Sequence, residues 1–154
     1  MGGATRDRVT ARLAQLRGTY DAFDIRQTTV SVAPAEFERM RADAGGAALA
    51  EVAVENAAGE HLLIQERDGG GWERPTTTVG AGQPLAETVC AAVERRTGVR
   101  PTLTGLDRAA IVCVDCAESD ASAYQLQLRL SAVPEAGEPV PPAAWRVDGP
   151  ADLL

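Results

Sequence analysis

One segment of this chain carries both a helix and the signal that stops it. Pro84 to Arg96 reads as a helix, and Thr97-Gly98 closes it with glycine at the cap, where a left-handed backbone is wanted. At about 100° per residue, with Val89 set at the centre, Leu85, Val93, Ala92 and Arg96 fall at about −40°, +40°, −60° and −20°. They form one buried stripe and its edge. Glu87 and Glu94 fall at about 160° and 140°, on the opposite, solvent face. Any fold must therefore offer this helix an apolar platform.

The flanking segments supply strands for that platform. Leu49 to Val54 and His61 to Glu66, joined by the turn Asn56-Ala-Ala-Gly59, predict a hairpin. Asp68-Gly-Gly-Gly71 is a hairpin-type loop, because no helix follows it directly and it lacks the Lys-Ser/Thr of a P-loop. Trp72 to Gly82 is irregular and rich in Thr and Gly. After the helix, Ala109 to Val114 and the alternating Tyr124 to Leu130 read as strands. Residues 134–142 form a Pro-rich loop, Ala143 to Val147 a last short strand, and Asp148 to Leu154 a helical turn. No internal repeat is visible.

Ahead of these lies an extension. Val9, Leu13 and Leu16 make one face of a helix over residues 6–17 that stops at Gly18. Ile25 to Val32 reads as a strand. Pro34 then starts a second helix, containing Phe37 and Met40, that ends before Gly45-Gly46. The expected division is an N-terminal extension, 1–46, and a main domain, 47–154.

Composition bounds the classes of function. A chain of 154 residues, 45% hydrophobic and 24% charged, suits one compact domain. Apolar runs such as Ala109 to Val114 fall far short of the ~20 residues of a membrane span. The polar start Met-Gly-Gly-Ala-Thr-Arg-Asp-Arg is no secretion signal, so a cytoplasmic protein without membrane contact is expected. The net charge of −7 and the absence of a basic cluster argue against a nucleic-acid partner. All 15 basic residues are Arg and none is Lys, a composition that looks archaeal and salt-adapted.

Three cysteines and one histidine remain. An odd count in an intracellular chain does not make a disulfide framework. Cys113-Val-Asp-Cys116 has C-x-x-C spacing, and Cys90 with His61 would nominally complete a zinc shell. Without a second pair that signal is weak, and Cys113 within Ala109 to Val114 reads instead as a small hydrophobe in a buried strand. His61 begins a strand and faces solvent in this reading, with no Ser or Cys partner to make it a catalytic base.

The order of hairpin, glycine loop, irregular loop, helix, Thr-Gly-Val and further strands resembles the Nudix superfamily. The stretch that carries the resemblance is Trp72-Glu-Arg-Pro75-Thr-Thr-Thr-Val-Gly-Ala-Gly82-Gln-Pro-Leu-Ala-Glu-Thr-Val-Cys-Ala-Ala-Val93-Glu-Arg-Arg-Thr97-Gly98-Val99. Family members read W-x-x-P-G-G and then G-x5-E-x7-R-E-U-x-E-E-x-G-U, with U a bulky apolar residue. Anchored on Gly98 and Val99, the pattern aligns without a gap, and Trp145 resembles the aromatic that often precedes the family's final helix. The resemblance covers roughly residues 48–154 and implies an α/β/α sandwich with a mixed sheet.

Retained are Trp72, Pro75, Gly82, Leu85, Val93, Thr97, Gly98 and Val99, the residues of turn, cap and packing. The positions of chemistry are replaced. An early glycine is Thr77, the first Glu is Gln83, the Arg-Glu pair is Ala91-Ala92 and the Glu-Glu pair is Arg95-Arg96. The family's hydrolysis of diphosphate linkages uses Mg²⁺ or Mn²⁺, which need carboxylate oxygens. Guanidinium cannot ligate a metal, and its fixed charge repels one.

The resemblance thus implies a Nudix-like protein without metal-dependent hydrolysis and without a cofactor. A cleft shaped for phosphate would hold it directly on Arg95 and Arg96, with Gln83 donating from the helix N-terminal end and Trp72 either stacking a base or packing its loop. The ligand class is a nucleotide or sugar nucleotide. The bland reading has both arginines in solvent or paired with acids such as Glu66 or Glu94. Two other functions stay open: a Mg²⁺-dependent hydrolase of nucleoside diphosphate derivatives that draws ligands from Glu66 or Glu118, and a structural module dimerising through its N-terminal extension.

Overall fold

A computed structural model describes residues 2–20, 23–43, 48–67, 70–80, 82–116 and 122–147. Its elements are α1 (Gly2–Thr19), β1 (Asp24–Val32), α2 (Pro34–Asp43), β2 (Ala48–Val54), β3 (His61–Gln65), β4 (Trp72–Glu73), β5 (Thr76–Val79), α3 (Leu85–Thr97), β6 (Val99–Cys116), β7 (Ser122–Gly137) and β8 (Ala143–Arg146). The fold is of the α/β class with a mixed sheet. Five strands follow the order β1-β6-β7-β2-β5, and three follow β4-β3-β8. Among the described residues no helix is long and apolar enough to cross a membrane.

The chain divides into two compact units, through both of which β6 and β7 run: Met1–Leu49 with Thr78–Gln83 and Leu106–Leu128, and Ala50–Thr77 with Pro84–Gly105 and Arg129–Leu154.

In the first unit α1 buries Val9, Leu13 and Leu16, the expected face. The helix passes through Gly18, and Tyr20 N–H still bonds Leu16 C=O at 2.8 Å. Pro34 opens α2, whose Phe37 is buried against Val112, Val114, Cys116 and Ala123 with Val32 beside them. The Met40 side chain lies outside the described residues. β1 pairs in parallel with β6, from Asp24↔Arg108 to Val32↔Cys116. The N-terminal segment therefore adds a strand to the sheet.

In the second unit β2 alternates strictly, with Ala50, Val52 and Val54 inside. The turn after it is built as its sequence asks: Asn56 Oδ1 accepts from Ala58 N–H at 3.0 Å and Glu60 N–H at 2.9 Å. The hairpin expected around that turn does not form. β2 and β3 meet in one bridge, Glu55↔His61, and then join different sheets. Leu62, Leu63 and Ile64 are consecutive and all buried, so β3 needs cover on both faces and cannot act as the half-exposed partner of an alternating strand. β3 pairs antiparallel with β4 and β8 instead.

Two loops of the sequence reading are strand. Trp72 to Gly82 contains β4 and β5, and β7 runs on to Gly137 through the start of the Pro-rich stretch. The helical turn read at Asp148 to Leu154 and part of the loop at Asp68 fall outside the described residues.

Candidate ligand site on the α3 helix

α3 starts and stops where its sequence directs. Pro84 is the N-cap residue, and Thr88 N–H bonds its C=O at 3.1 Å. At the far end Gly98 takes φ of 86° and its N–H reaches Glu94 C=O. Val89, Cys90, Ala92, Val93 and Thr97 are buried. Glu87 and Glu94 are exposed, as their angles required. Glu94 holds Arg100 at 3.4 Å.

A narrow crevice lies between this helix and the strands, lined by Val52, Pro75, Thr76, Thr77, Ala92, Val93 and Arg96. Arg96 is the charged residue in that lining, and its Nη1 donates to Thr76 C=O. Arg96 is nonetheless largely exposed, as is Arg95 beside it. A guanidinium thus stands at the edge of this crevice. The donors present do not fit Mg²⁺: Ala92 offers a methyl group, Arg96 a fixed positive charge, and the helix carboxylates point away.

The other two expected site residues are engaged locally. Gln83 belongs to the first unit, where it closes a small turn: its Oε1 accepts from Gly80 N–H at 2.8 Å, and its own N–H donates to Gly80 C=O at 3.1 Å. Arg12 Nη1 of α1 reaches the same carbonyl at 3.3 Å. Trp72 belongs to the second unit, half-buried in β4 opposite Gln65. The Arg146 guanidinium lies 4.5 Å from its ring centroid, so one aromatic face already carries a cation.

The zinc alternative gains no geometry. All three cysteines are free; Cys90 and Cys116 are buried. Cys113, read as buried, is only half-buried, because in β6 it alternates with the inward Val112 and Val114. Its Sγ lies 3.7 Å from Asp115 Oδ1. Among the described residues no three His, Cys, Asp or Glu side chains gather as a metal site. His61 is half-buried in β3 and Glu66 is exposed, while Glu118 lies outside the described residues.

Sequence reading missed one polar cluster of the second unit. Glu51 Oε1 accepts from Arg74 Nη1 at 3.0 Å, with Arg129 Nε at 4.0 Å, and the Arg74 and Arg129 side chains are only 12% and 19% exposed. Glu51 occupies an outward position of alternating β2, which is the one hint the sequence holds. Its partners come from 23 residues away and from β7.

No protein-family model matches the sequence, and no curated protein matches it. Solved structures of similar fold include MutT proteins. That of Bacillus halodurans shares 21% identity over 65% of this chain and 67% of that one, with a TM-score of 0.49. A MutT structure from a comparison of Aliivibrio salmonicida and Vibrio cholerae shares 15% over 64% and 77%, with a TM-score of 0.40. MutT of Methanosarcina mazei shares 18% over 67% and 71%, with a TM-score of 0.35. The likeness is partial at these scores, and no activity transfers from it.

Proposed function

We propose that this chain is a Nudix-like protein that does not carry out metal-dependent diphosphate hydrolysis and instead binds a nucleotide or other phosphate ligand on arginine. The observation that supports this most directly is Arg96 at the α3 crevice beside Thr76, at a position where the resemblance implies a metal-ligating Glu. A guanidinium there repels a divalent cation and attracts a phosphate oxygen, and its planar fork suits bidentate contact. Arg95 doubles the positive charge on the exposed last turn. A cytoplasmic, salt-adapted setting belongs to the same reading.

The test is a thermal-shift panel of inorganic phosphate, ADP and ADP-ribose, run with Mg²⁺ and then with EDTA. A ligand that prefers the folded state raises the melting temperature by mass action. Stabilisation that persists in EDTA and disappears in Arg95→Glu/Arg96→Glu is the expected result. Stabilisation or phosphate release that requires Mg²⁺ would overturn the reading in favour of an active hydrolase.

A further inference from the structure

The five-stranded sheet ends on a strand that carries little of the usual protection against further pairing. β1 stands at the edge of the order, with its nine residues in parallel register against β6. None of the nine is buried, and Val30 is 38% exposed. From Gln27 to Val32 the strand reads Gln-Thr-Thr-Val-Ser-Val, with no charge, Pro or Gly. Natural edges are blunted by short strands, Lys, Pro or bulges, because unpaired N–H and C=O groups are a template for another strand. The charges on this edge, Asp24 and Arg26, bond each other at 3.1 Å near its start. What remains is a six-residue uncharged segment of high β propensity, whose outer edge pairs with no other strand of the described residues.

We propose that β1 is a homodimer interface, with two copies of the chain pairing their β1 strands antiparallel about a two-fold axis through Thr28. A bare strand edge recognises backbone, so its partner must itself bring an open strand, and a second copy brings this one. Thr28 is the midpoint of Asp24–Val32, so a two-fold there overlaps all nine residues. In that register Asp24 meets Val32 of the partner subunit, Arg26 meets Val30, Ile25 meets Ser31 and Gln27 meets Thr29. Thr28 meets its own copy, a favourable cross-strand pair. No like charges oppose each other. That matters for a chain of net charge −7, because two copies carry the same excess charge and repel. This inference stands independently of the ligand reading.

The test is the mass in solution, by light scattering at high micromolar concentration and moderate salt. The wild-type chain is expected at twice its 16.1 kDa mass. Thr28→Glu places two carboxylates opposite each other, with Cα atoms roughly 5 Å apart, and is expected to run as a monomer. Thr28→Arg should do the same, and mixing the two variants should restore a dimer. Thr28→Cys should cross-link under mild oxidation, because that spacing lies within disulfide range. Thr28 is exposed, and circular dichroism checks that each variant is folded. A monomeric wild type, or a dimer that folded Thr28→Glu leaves intact, would overturn the proposal. If Thr28→Glu does not fold, the cross-link decides: a dimer whose Thr28→Cys form stays unlinked has another interface.

Discussion

A Cβ placed on Gly137 would stand 2.2 Å from the carbonyl oxygen of Gly98, and both glycines hold φ at 86°. One glycine caps α3 and the other ends β7, and the two backbones cross where any side chain would intrude. Thr97 C=O, one residue before the cap, accepts from Val140 N–H at 2.8 Å, so the crossing is bonded as well as close. Gly98 is legible in the sequence as a helix stop. Gly137 is not, because its need arises from a contact 39 residues away, between the two positions.

Gly137→Ala is therefore expected to be among the most damaging single changes. The left-handed backbone alone costs an L-residue about 1–2 kcal/mol, and the backbone clash adds to it because a carbonyl cannot rotate away as a side chain can. At about 2–4 °C per kcal/mol for a chain of this size, the melting temperature should fall by several degrees or more. Gly98→Ala should behave alike, since its Cβ would lie 2.6 Å from Glu138 C=O. Thermal unfolding followed by circular dichroism measures both. Unchanged melting of Gly137→Ala would show that the crossing relaxes freely.

Thr97 is fully buried and answers two backbone groups at once. Its Oγ1 donates to Val93 C=O at 2.6 Å and accepts from Val99 N–H at 3.1 Å. Thr97→Val keeps the shape and removes both bonds, taking an acceptor from the first amide of β6. The expected cost is about 1–3 kcal/mol in urea unfolding. Thr97→Ser keeps the hydroxyl and should lose less. If the serine variant proves the weaker of the two, packing of the methyl outweighs the hydrogen bonds at this position.

Local signals were enough for α3, because its stripe, its N-cap proline and its glycine stop all lie within 15 residues of sequence, Pro84 to Gly98. The Asn56 turn was legible for the same reason. The separation of β2 from β3 was not, since a turn fixes the local chain direction and says nothing of which sheet each strand joins. The exposure of Glu87 and Glu94 followed from helical geometry alone. The partners of Trp72 and Arg96 did not: Arg146 and Thr76 are reached only once the chain is folded, whereas Gln83 meets Gly80 within a single turn. A charge pattern names candidate ligands, while the competition of nearby carbonyls and rings for those groups is a tertiary matter.

Arg12 and Gln83 converge on Gly80 C=O, so α1 helps to hold the turn that leads into α3. Arg12→Met keeps the length of the side chain and removes that donor. Amide exchange at Gln83, whose N–H shares the carbonyl, is expected to quicken several-fold, while the interior strands keep their protection. Global stability should change by no more than about 1 kcal/mol, the usual worth of one hydrogen bond. Hydrogen exchange read by mass spectrometry tests this directly. Equal exchange in both proteins would mean that the turn is held by its own bonds alone.

Cys90 gives the fold a pH dependence whose sign is fixed. Burial pushes its thiol above the ordinary range. The Arg100 guanidinium and a backbone hydrogen bond at Leu103 oppose that rise, and Glu135 adds to it. Below the ordinary thiol value of about 8.5, the folded and unfolded chains both keep the proton, so this group contributes no slope. Above it the unfolded chain releases its proton while the folded chain holds on, and stability falls as pH rises until the folded value is passed. Urea unfolding of wild type and Cys90→Ala between pH 8 and pH 10 isolates this contribution, because other titrating groups are common to both. The wild type should lose stability faster over that window. Arg100→Gln, by removing the cation that favours the thiolate, should steepen the loss. Parallel curves for wild type and Cys90→Ala would show that the thiol ionises as readily in the folded chain as in the unfolded one.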